Sequence, residues 1–188
     1  MIEEINIYYE IVRSFNSLRE ERNIWPSLTK TRLLKLAYLV DYFYCKRYRH
    51  KLSDIEWVFY LYGPYSFSSD PIIQNRPFSI KRLETGDLDP ELIELNENYS
   101  NSLGIDEFEI KQFVKKIVQD YGDQDLEELI DFIYFETEPM QLVKKRKDTL
   151  DFNKIVPEEK IIKESLSRTE ISTILDKYRG ALANARKI

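Results

Sequence analysis

The residues that could support catalysis are few, and their spacing matches no recognised catalytic set. His50 is the only histidine and Cys45 the only cysteine among 188 residues. A Ser–His–Asp or Cys–His pair would have to use His50, which lies in the basic run CKRYRHK, where a solvated histidine is the favoured interpretation. No HExxH motif, Gly-rich phosphate loop or DxD-type carboxylate cluster occurs. The sequence therefore predicts no catalytic residue, no metal ligand set and no cofactor.

One carboxylate, Asp41, interrupts the most apolar stretch of the chain. A carboxylate in such surroundings must find water, a donor or a cation, because burying it unpaired is expensive. The favoured interpretation is structural, with Asp41 tied to Lys35, Arg32 or the backbone at Gly63-Pro64. Direct contact with a partner molecule is the alternative.

Residues 46–51, KRYRHK, form the main basic cluster, from Lys46 to Lys51, and contain an aromatic residue. Such a cluster can contact nucleic acid. A solvated helix C-terminus, where cations suit the helix dipole, is the favoured interpretation.

The aromatic residues after this cluster alternate as in a strand. Residues 55–62 alternate between two faces, and Gly63-Pro64 is expected to end the strand, because proline cannot donate to a ladder. Trp57 is predicted to lie in the core. Tyr60 and Tyr62 fall on the opposite face from Phe59, and core and interface remain equally open for them.

These residues must be positioned by a helix that precedes the strand. One face carries apolar residues at three- and four-residue steps: Leu33, Leu36, Ala37, Val40 and Tyr44. A second apolar face carries Leu34, Tyr38, Tyr42 and Cys45. A helix that is apolar on both sides is expected to be central and covered on both sides, with Ser27 or Thr29 as its cap and Cys45 as a buried small residue.

The flanking segments predict further helices and short strands. Residues 2–22 have the spacing of an amphipathic helix, and Trp25-Pro26 is expected to staple the next helix. Pro71 allows at most a short turn after the strand. Residues 78–83 predict a short strand and, after a turn at Gly86-Asp87, residues 91–97 predict a second short strand or a helical turn. Together with residues 55–62 they are expected to form a small antiparallel sheet of two or three strands.

The second half of the chain is predicted to be helical. A helix from Asp106 has a buried face that includes Phe108 and is expected to end at Gly122 in a left-handed cap. A helix over residues 126–134 follows. Another is expected to begin at Thr137 and to end in the positive residues 144–147. Residues 158–186 predict one or two amphipathic helices.

Composition fits one folded domain. The chain is 43% hydrophobic, and its net charge of −5 gives no general attraction to nucleic acid. The acidic N-terminus is not expected to be a signal peptide, and no run approaches the length of a membrane span. The sequence therefore predicts a soluble, cytoplasmic α+β domain, mainly α, in which a central buried helix lies beside a small antiparallel β-sheet.

Three parts of residues 28–66 carry a family resemblance. They are the run KLAYLVD from Lys35 to Asp41, then Trp57, then the turn YGPYS from Tyr62. This pattern resembles the Panacea domain, the SocA-like antitoxin family. A family segment with a histidine and a Pro-Trp pair has its counterpart at Tyr134 and Pro139-Met140, where the histidine and tryptophan are absent. No role of those two side chains is carried over.

The resemblance implies an antitoxin and not an enzyme. Its partner would be a cognate toxin protein, neutralised by direct binding or by delivery to proteolysis, with a protease or chaperone as a second partner. We expect residues 1–156 to form the antitoxin domain and residues 157–188 to form a helical extension packed on it. No membrane partner is expected, and the charge argues against nucleic acid.

The helix, the strand and the turn are adjacent in sequence and are expected to expose one partner-binding patch. Its residues are Lys35, Asp41, Tyr60, Tyr62, Gly63, Pro64 and Tyr65. Two rival interpretations are a nucleic-acid-binding regulator that uses Lys46 to Lys51, and a hydrolase with an unconventional site around Asp41 and Tyr38.

Overall fold

The central helix of the computed structural model, α2, spans Lys30–Tyr48. The Thr29 side chain caps it by accepting a hydrogen bond from the Arg32 backbone N–H at 3.2 Å. Arg49 ends it in the left-handed conformation, and its N–H donates to the Cys45 carbonyl. Both predicted apolar faces are buried except for the partly exposed Tyr44, so the prediction of a helix covered on both sides is confirmed.

The structure describes residues 1–23, 28–82, 90–96 and 103–157. Besides α2, these residues form the helices α1 Glu4–Arg22, α3 Ser69–Ile73, α4 Phe108–Tyr121, α5 Leu126–Glu136 and α6 Glu138–Leu142. Their strands are β1 Val58–Tyr60, β2 Gly63–Tyr65, β3 Phe78–Arg82 and β4 Glu91–Leu95. The predicted staple at Trp25-Pro26, the Ser27 cap and the turn at Gly86-Asp87 lie outside the described residues.

Helices surround α2 and build the core. Helix α1 packs on α2 and α4, and α2 also contacts α4 and α5. The fold is therefore α+β and mainly α, as predicted. Met1–Ile155 forms one compact unit and Val156–Ile188 a second. Of the second unit only residues 156 and 157 are described, so the helices predicted over residues 158–186 lie outside the described part of the chain.

The aromatic stretch forms a tight hairpin rather than one strand. Strand β1 pairs antiparallel with β2, Tyr60 lies opposite Gly63, and Leu61 and Tyr62 are left as a two-residue loop. The prediction that Gly63-Pro64 ends the strand is therefore wrong. Gly63 has a φ of +93°, which lets the chain reverse before it.

The other edge of β1 is also occupied. The Phe59 N–H donates to the Asp148 carbonyl at 2.9 Å, and the Lys147 N–H donates to the Phe59 carbonyl at 2.6 Å. One ladder position further on, the Leu150 N–H donates to the Trp57 carbonyl. The expectation that residues 144–147 end a helix is wrong, because α6 ends at Leu142 and the following residues turn to run along β1.

Strands β3 and β4 form a second, separate hairpin, with Ile80 opposite Ile93. The expected single sheet is therefore wrong. Each hairpin has another neighbour instead: residues 147–150 lie along β1, and the Ile93 N–H donates to the Leu28 carbonyl just before α2. The short turn predicted around Pro71 is confirmed as the five-residue helix α3.

Two details of α4 differ from expectation. Gly122 closes the helix with a φ of −67°, so its predicted left-handed conformation is wrong. Close packing explains this glycine, because a Cβ there would collide with the Val118 carbonyl oxygen and lie 3.1 Å from Leu18 Cδ2. Phe108, predicted to be buried, is 72% exposed because it is the first residue of the helix and projects beyond the core.

Candidate protein-binding surface

Asp41 is fully buried and accepts three hydrogen bonds. They come from the Ser53 N–H at 2.8 Å, the Ser53 hydroxyl at 2.6 Å and the Trp57 indole N–H at 2.8 Å. Burial raises the pKa of this carboxyl, and the donors from Ser53 and Trp57 counter part of that rise. Asp41 thus ties α2 to the segment that leads into β1.

The structural interpretation of Asp41 is supported, but with other partners than expected. The donors are Ser53 and Trp57 rather than Lys35, Arg32 or the Gly63-Pro64 backbone. The expectation that Asp41 is exposed in a surface patch is wrong, because a carboxylate with three donors is satisfied inside the core.

Lys35 lies one and a half helical turns before Asp41 and is 2% exposed. Its Nζ donates to the Pro64 carbonyl at 2.8 Å, which fixes β2 on α2. Burial lowers the pKa of this amine to about 7. Its expected exposure is also wrong, since Gly63 of β2 lies against the lysine stem, where a Cβ would be 3.7 Å from Lys35 Cε.

Gly63 and Pro64 are buried too. A Cβ on Gly63 would lie 3.3 Å from Tyr134 Cε2 and 3.7 Å from Lys35 Nζ. Gly63 therefore permits a close approach between β2, α2 and α5. These two residues therefore form the buried underside of the hairpin, and their predicted part in partner binding stays a prediction.

The three tyrosines of the predicted patch reach the surface to different extents. Tyr62 is 64% exposed at the loop of the hairpin, whereas Tyr60 and Tyr65 are partly buried. The Tyr60, Tyr65 and Phe67 rings pack together with centroid distances of 5.3–5.5 Å. The Tyr65 hydroxyl donates to Asp70 at 2.6 Å.

Sequence reasoning missed two exposed members of this region. Leu61 and Phe67 are each 51% exposed. Strand alternation had assigned Leu61 to the inner face with Phe59, and the two-residue loop turns it outwards instead. We call Tyr60, Leu61, Tyr62, Tyr65 and Phe67 the hairpin-tip surface.

The hairpin rests on a packed aromatic base. The buried Tyr38 ring meets Trp57 edge-on at a centroid distance of 5.7 Å, and its hydroxyl lies 2.9 Å from Thr137 Oγ1. Thr137 in turn donates to the Ile133 carbonyl, at the junction between α5 and α6. Buried and fully engaged, Tyr38 is a structural residue, which counts against a hydrolase site around it.

The remaining candidates lie at the C-terminus of α2. Lys46 donates to the Tyr42 hydroxyl, and Lys51 donates to the Ile55 carbonyl, so both amines turn towards the protein. His50 is exposed, and its Nδ1 lies 3.0 Å from the Tyr48 carbonyl. Cys45 is buried, as predicted, and burial raises the pKa of its thiol.

Within the described ranges, no three His, Cys, Asp or Glu side chains come together as a metal site. The helices described there are all too short or too polar to cross a membrane.

The family resemblance is confirmed by comparison with protein-family models. The model described as "Antitoxin SocA-like, Panacea domain" matches residues 33–140, which is more than half of the chain. The chain therefore belongs to the SocA-like antitoxin family with a Panacea domain. Neither a curated protein nor a solved structure matches it. The match begins in the first turn of α2, runs through α5 and ends within α6, so it includes the hairpin and its base.

Proposed function

We propose that this protein is an antitoxin that neutralises a cognate toxin protein by binding it through the hairpin-tip surface. One observation carries the proposal: Leu61 and Tyr62 in the loop of the hairpin, and Phe67 shortly after β2, are more than half exposed, while the residues that anchor the hairpin are buried. Exposed aromatic side chains on a rigid support supply contact area at low entropic cost, which is typical of interface hot spots.

The family and the chemistry both favour binding over catalysis. Family membership indicates a non-catalytic role. In the described part of the chain, the charged groups beneath the hairpin are engaged in structural hydrogen bonds, with Asp41 bound to Ser53 and Trp57. Neutralisation by simple occlusion and by delivery to a protease or chaperone both begin with such a contact.

The test is rescue of growth when the product of the adjacent reading frame is co-expressed. Tyr62→Ala is expected to lower toxin affinity by about thirtyfold, or ~2 kcal/mol, as truncation of a hot-spot aromatic does. Its melting temperature is expected to stay within about 2 °C of wild type, because the ring is mostly exposed. Titration of the purified toxin by calorimetry gives the affinity.

Phe108→Ala is the matched control, because Phe108 is equally exposed but lies on α4. It is expected to rescue normally. If Tyr60→Ala, Tyr62→Ala and Tyr65→Ala all rescue as wild type does, the hairpin-tip surface is not the interface. We propose residues 157–188, which follow the antitoxin domain of residues 1–156, as the next segment to test.

A nucleic-acid-binding regulator that uses Lys46 to Lys51 is the alternative. It requires affinity for duplex DNA that falls steeply with salt. The inward hydrogen bonds of Lys46 and Lys51 argue against it, because they leave less charge to meet a phosphate backbone.

A further inference from the structure

A pocket of about 210 Å³ opens between the N-terminal turns of α2 and the hairpin. Tyr60, Tyr62 and Tyr65 line it on the hairpin side. Lys30, Thr31 and Lys35 line it on the helix side. The pocket therefore lies beside the hairpin-tip surface and has two lysines in its lining.

Lys35 is the unusual member of this set. Its side chain is almost completely buried, and a neutral carbonyl, that of Pro64, accepts a hydrogen bond from it. An ammonium group has three N–H donors, and no ion pair to Lys35 occurs among the residues that the structure describes. A buried cation without a counter-ion is costly, so an incoming anion would gain an unusually strong partner.

The helix end adds to the positive potential. Thr31 belongs to the first turn of the 19-residue helix α2, whose N-terminus carries the positive end of the helix dipole. Lys30 holds a carboxylate at the rim already, with its Nζ 2.5 Å from Asp70 Oδ1. That pair shows that a carboxylate fits beside this turn, while Lys35 lies deeper and is not reached by it.

We propose that this pocket binds a carboxylate of the toxin, an Asp or Glu side chain, through an ion pair with Lys35. This inference rests on the proposed function, because it needs the partner to lie on the hairpin-tip surface. The surrounding tyrosine rings suit the apolar stem of an acidic side chain on a protein better than a free inorganic ion. Binding would fix the orientation of the partner, as charged groups inside aromatic interfaces do.

Several charged and titratable groups surround Lys35. Lys30, Tyr60, Tyr62 and Tyr65 face the pocket, Tyr134 packs from α5, and Asp70 is held by Lys30. The pKa of Lys35, lowered by burial to about 7, is expected to rise when a carboxylate binds, because the anion favours the charged amine.

The first experiment uses the protein alone. The side-chain NMR signal of Lys35, assigned by its loss in Lys35→Met, is followed during titration with the capped peptide Gly-Glu-Gly. We expect a saturable shift and a pKa raised by about one unit, a tenfold change in proton affinity. Capped Gly-Gln-Gly, of the same shape but neutral, is expected to cause neither change. The exposed Lys81 serves as the internal control.

Three outcomes of this titration would overturn the proposal. They are no saturable shift at Lys35, an equal shift with the Gln peptide, and a shift with inorganic phosphate but not with the Glu peptide. The titration is made on the wild-type chain, and Lys35→Met serves only to assign the signal.

The second experiment separates this proposal from the proposed function. Thr31→Glu places a carboxylate at the pocket mouth, in a helix turn that tolerates acidic residues, and Thr31→Gln is its neutral match. Thr31→Glu is expected to bind the toxin at least tenfold more weakly than Thr31→Gln, which has a side chain of the same size without the charge. If Thr31→Glu binds the toxin normally while Tyr62→Ala does not, the proposed carboxylate site is contradicted, and the hairpin-tip surface is still supported as the interface. If both variants bind the toxin normally, the hairpin-tip surface is not the interface.

Discussion

The base and the tip of the β1–β2 hairpin follow one another in sequence but have opposite physical roles. At the base, Asp41, Trp57 and Gly63 are buried and fixed by hydrogen bonds or close packing. At the tip, Leu61 and Tyr62 are more than half exposed. The residues that carry the family resemblance mostly belong to the base. These base residues identify the scaffold, while the exposed side chains at the tip are available for contact with a partner.

The sharpest test of this contrast is the loss of the buried carboxylate. Asp41→Ala would leave the Ser53 N–H, the Ser53 hydroxyl and the Trp57 N–H without their acceptor. We expect the free energy of unfolding to fall by about 3–5 kcal/mol, measured by urea denaturation. Asp120→Ala, which removes a surface carboxylate paired with Lys116, is the control and is expected to cost less than about 0.5 kcal/mol. A loss below about 1 kcal/mol at Asp41 would mean that the base is not what holds the hairpin.

A smaller loss is expected at the point where base and tip meet. Gly63→Ala forces a side chain into a positive φ and towards Tyr134, so we expect a loss of about 1–3 kcal/mol by the same measurement. Leu61→Ala, two residues away in the exposed loop, is expected to leave stability nearly unchanged. If the two variants were equally stable, the base and the tip of the hairpin would not differ in what they contribute to stability.

The smallest expected effect is the change in the free energy of unfolding with pH. The pKa of Lys35 is about 7 in the folded protein, whereas an unfolded chain has a lysine pKa of about 10.4. The unfolded state therefore binds more protons between these values, and the Lys35 contribution makes stability rise with pH, by up to about 1.4 kcal/mol per unit above pH 7. Lys35→Met is expected to lose this rise, measured as the difference from wild type between pH 7 and 8.5.

Subtracting the stability of Lys35→Met from that of the wild type removes the contributions of other titrating groups, which make stability fall with pH. Burial raises the pKa of the Cys45 thiol in both proteins, so its effect cancels. Parallel stability curves for the two proteins over this range would show that Lys35 has an ordinary pKa and is open to water.

Local periodicity predicted most of the helical fold. The two apolar faces of α2 and the capping threonine Thr29 could be identified because they depend on neighbours three or four residues away. The partners of Asp41 could not, since Ser53 and Trp57 come from 12 and 16 residues further along and are brought together by tertiary packing.

The hairpin was missed for a related reason. The aromatic alternation continues through Leu61 and Tyr62, and Pro64 signals the end of a strand when only local rules are applied. The structure accommodates Pro64 opposite Phe59, whose N–H and carbonyl both point away from it, so no donor is needed there. Tyr60, Tyr62 and Tyr65 do lie together at the hairpin, and their role in partner binding stays a prediction. Burial of Lys35 beneath them could not be predicted, because it depends on the tight turn of the hairpin.

The hydrogen-bond pattern of this hairpin limits how any partner can approach it. Residues 147–150 already occupy the outer edge of β1. On the outer edge of β2, Pro64 has no N–H to offer and its carbonyl is taken by Lys35. A third strand from another chain would thus find no ladder to join on either side. Recognition at the proposed hairpin-tip surface would then depend on side chains alone, so that changing a few exposed residues on the same backbone would change the partner that it binds.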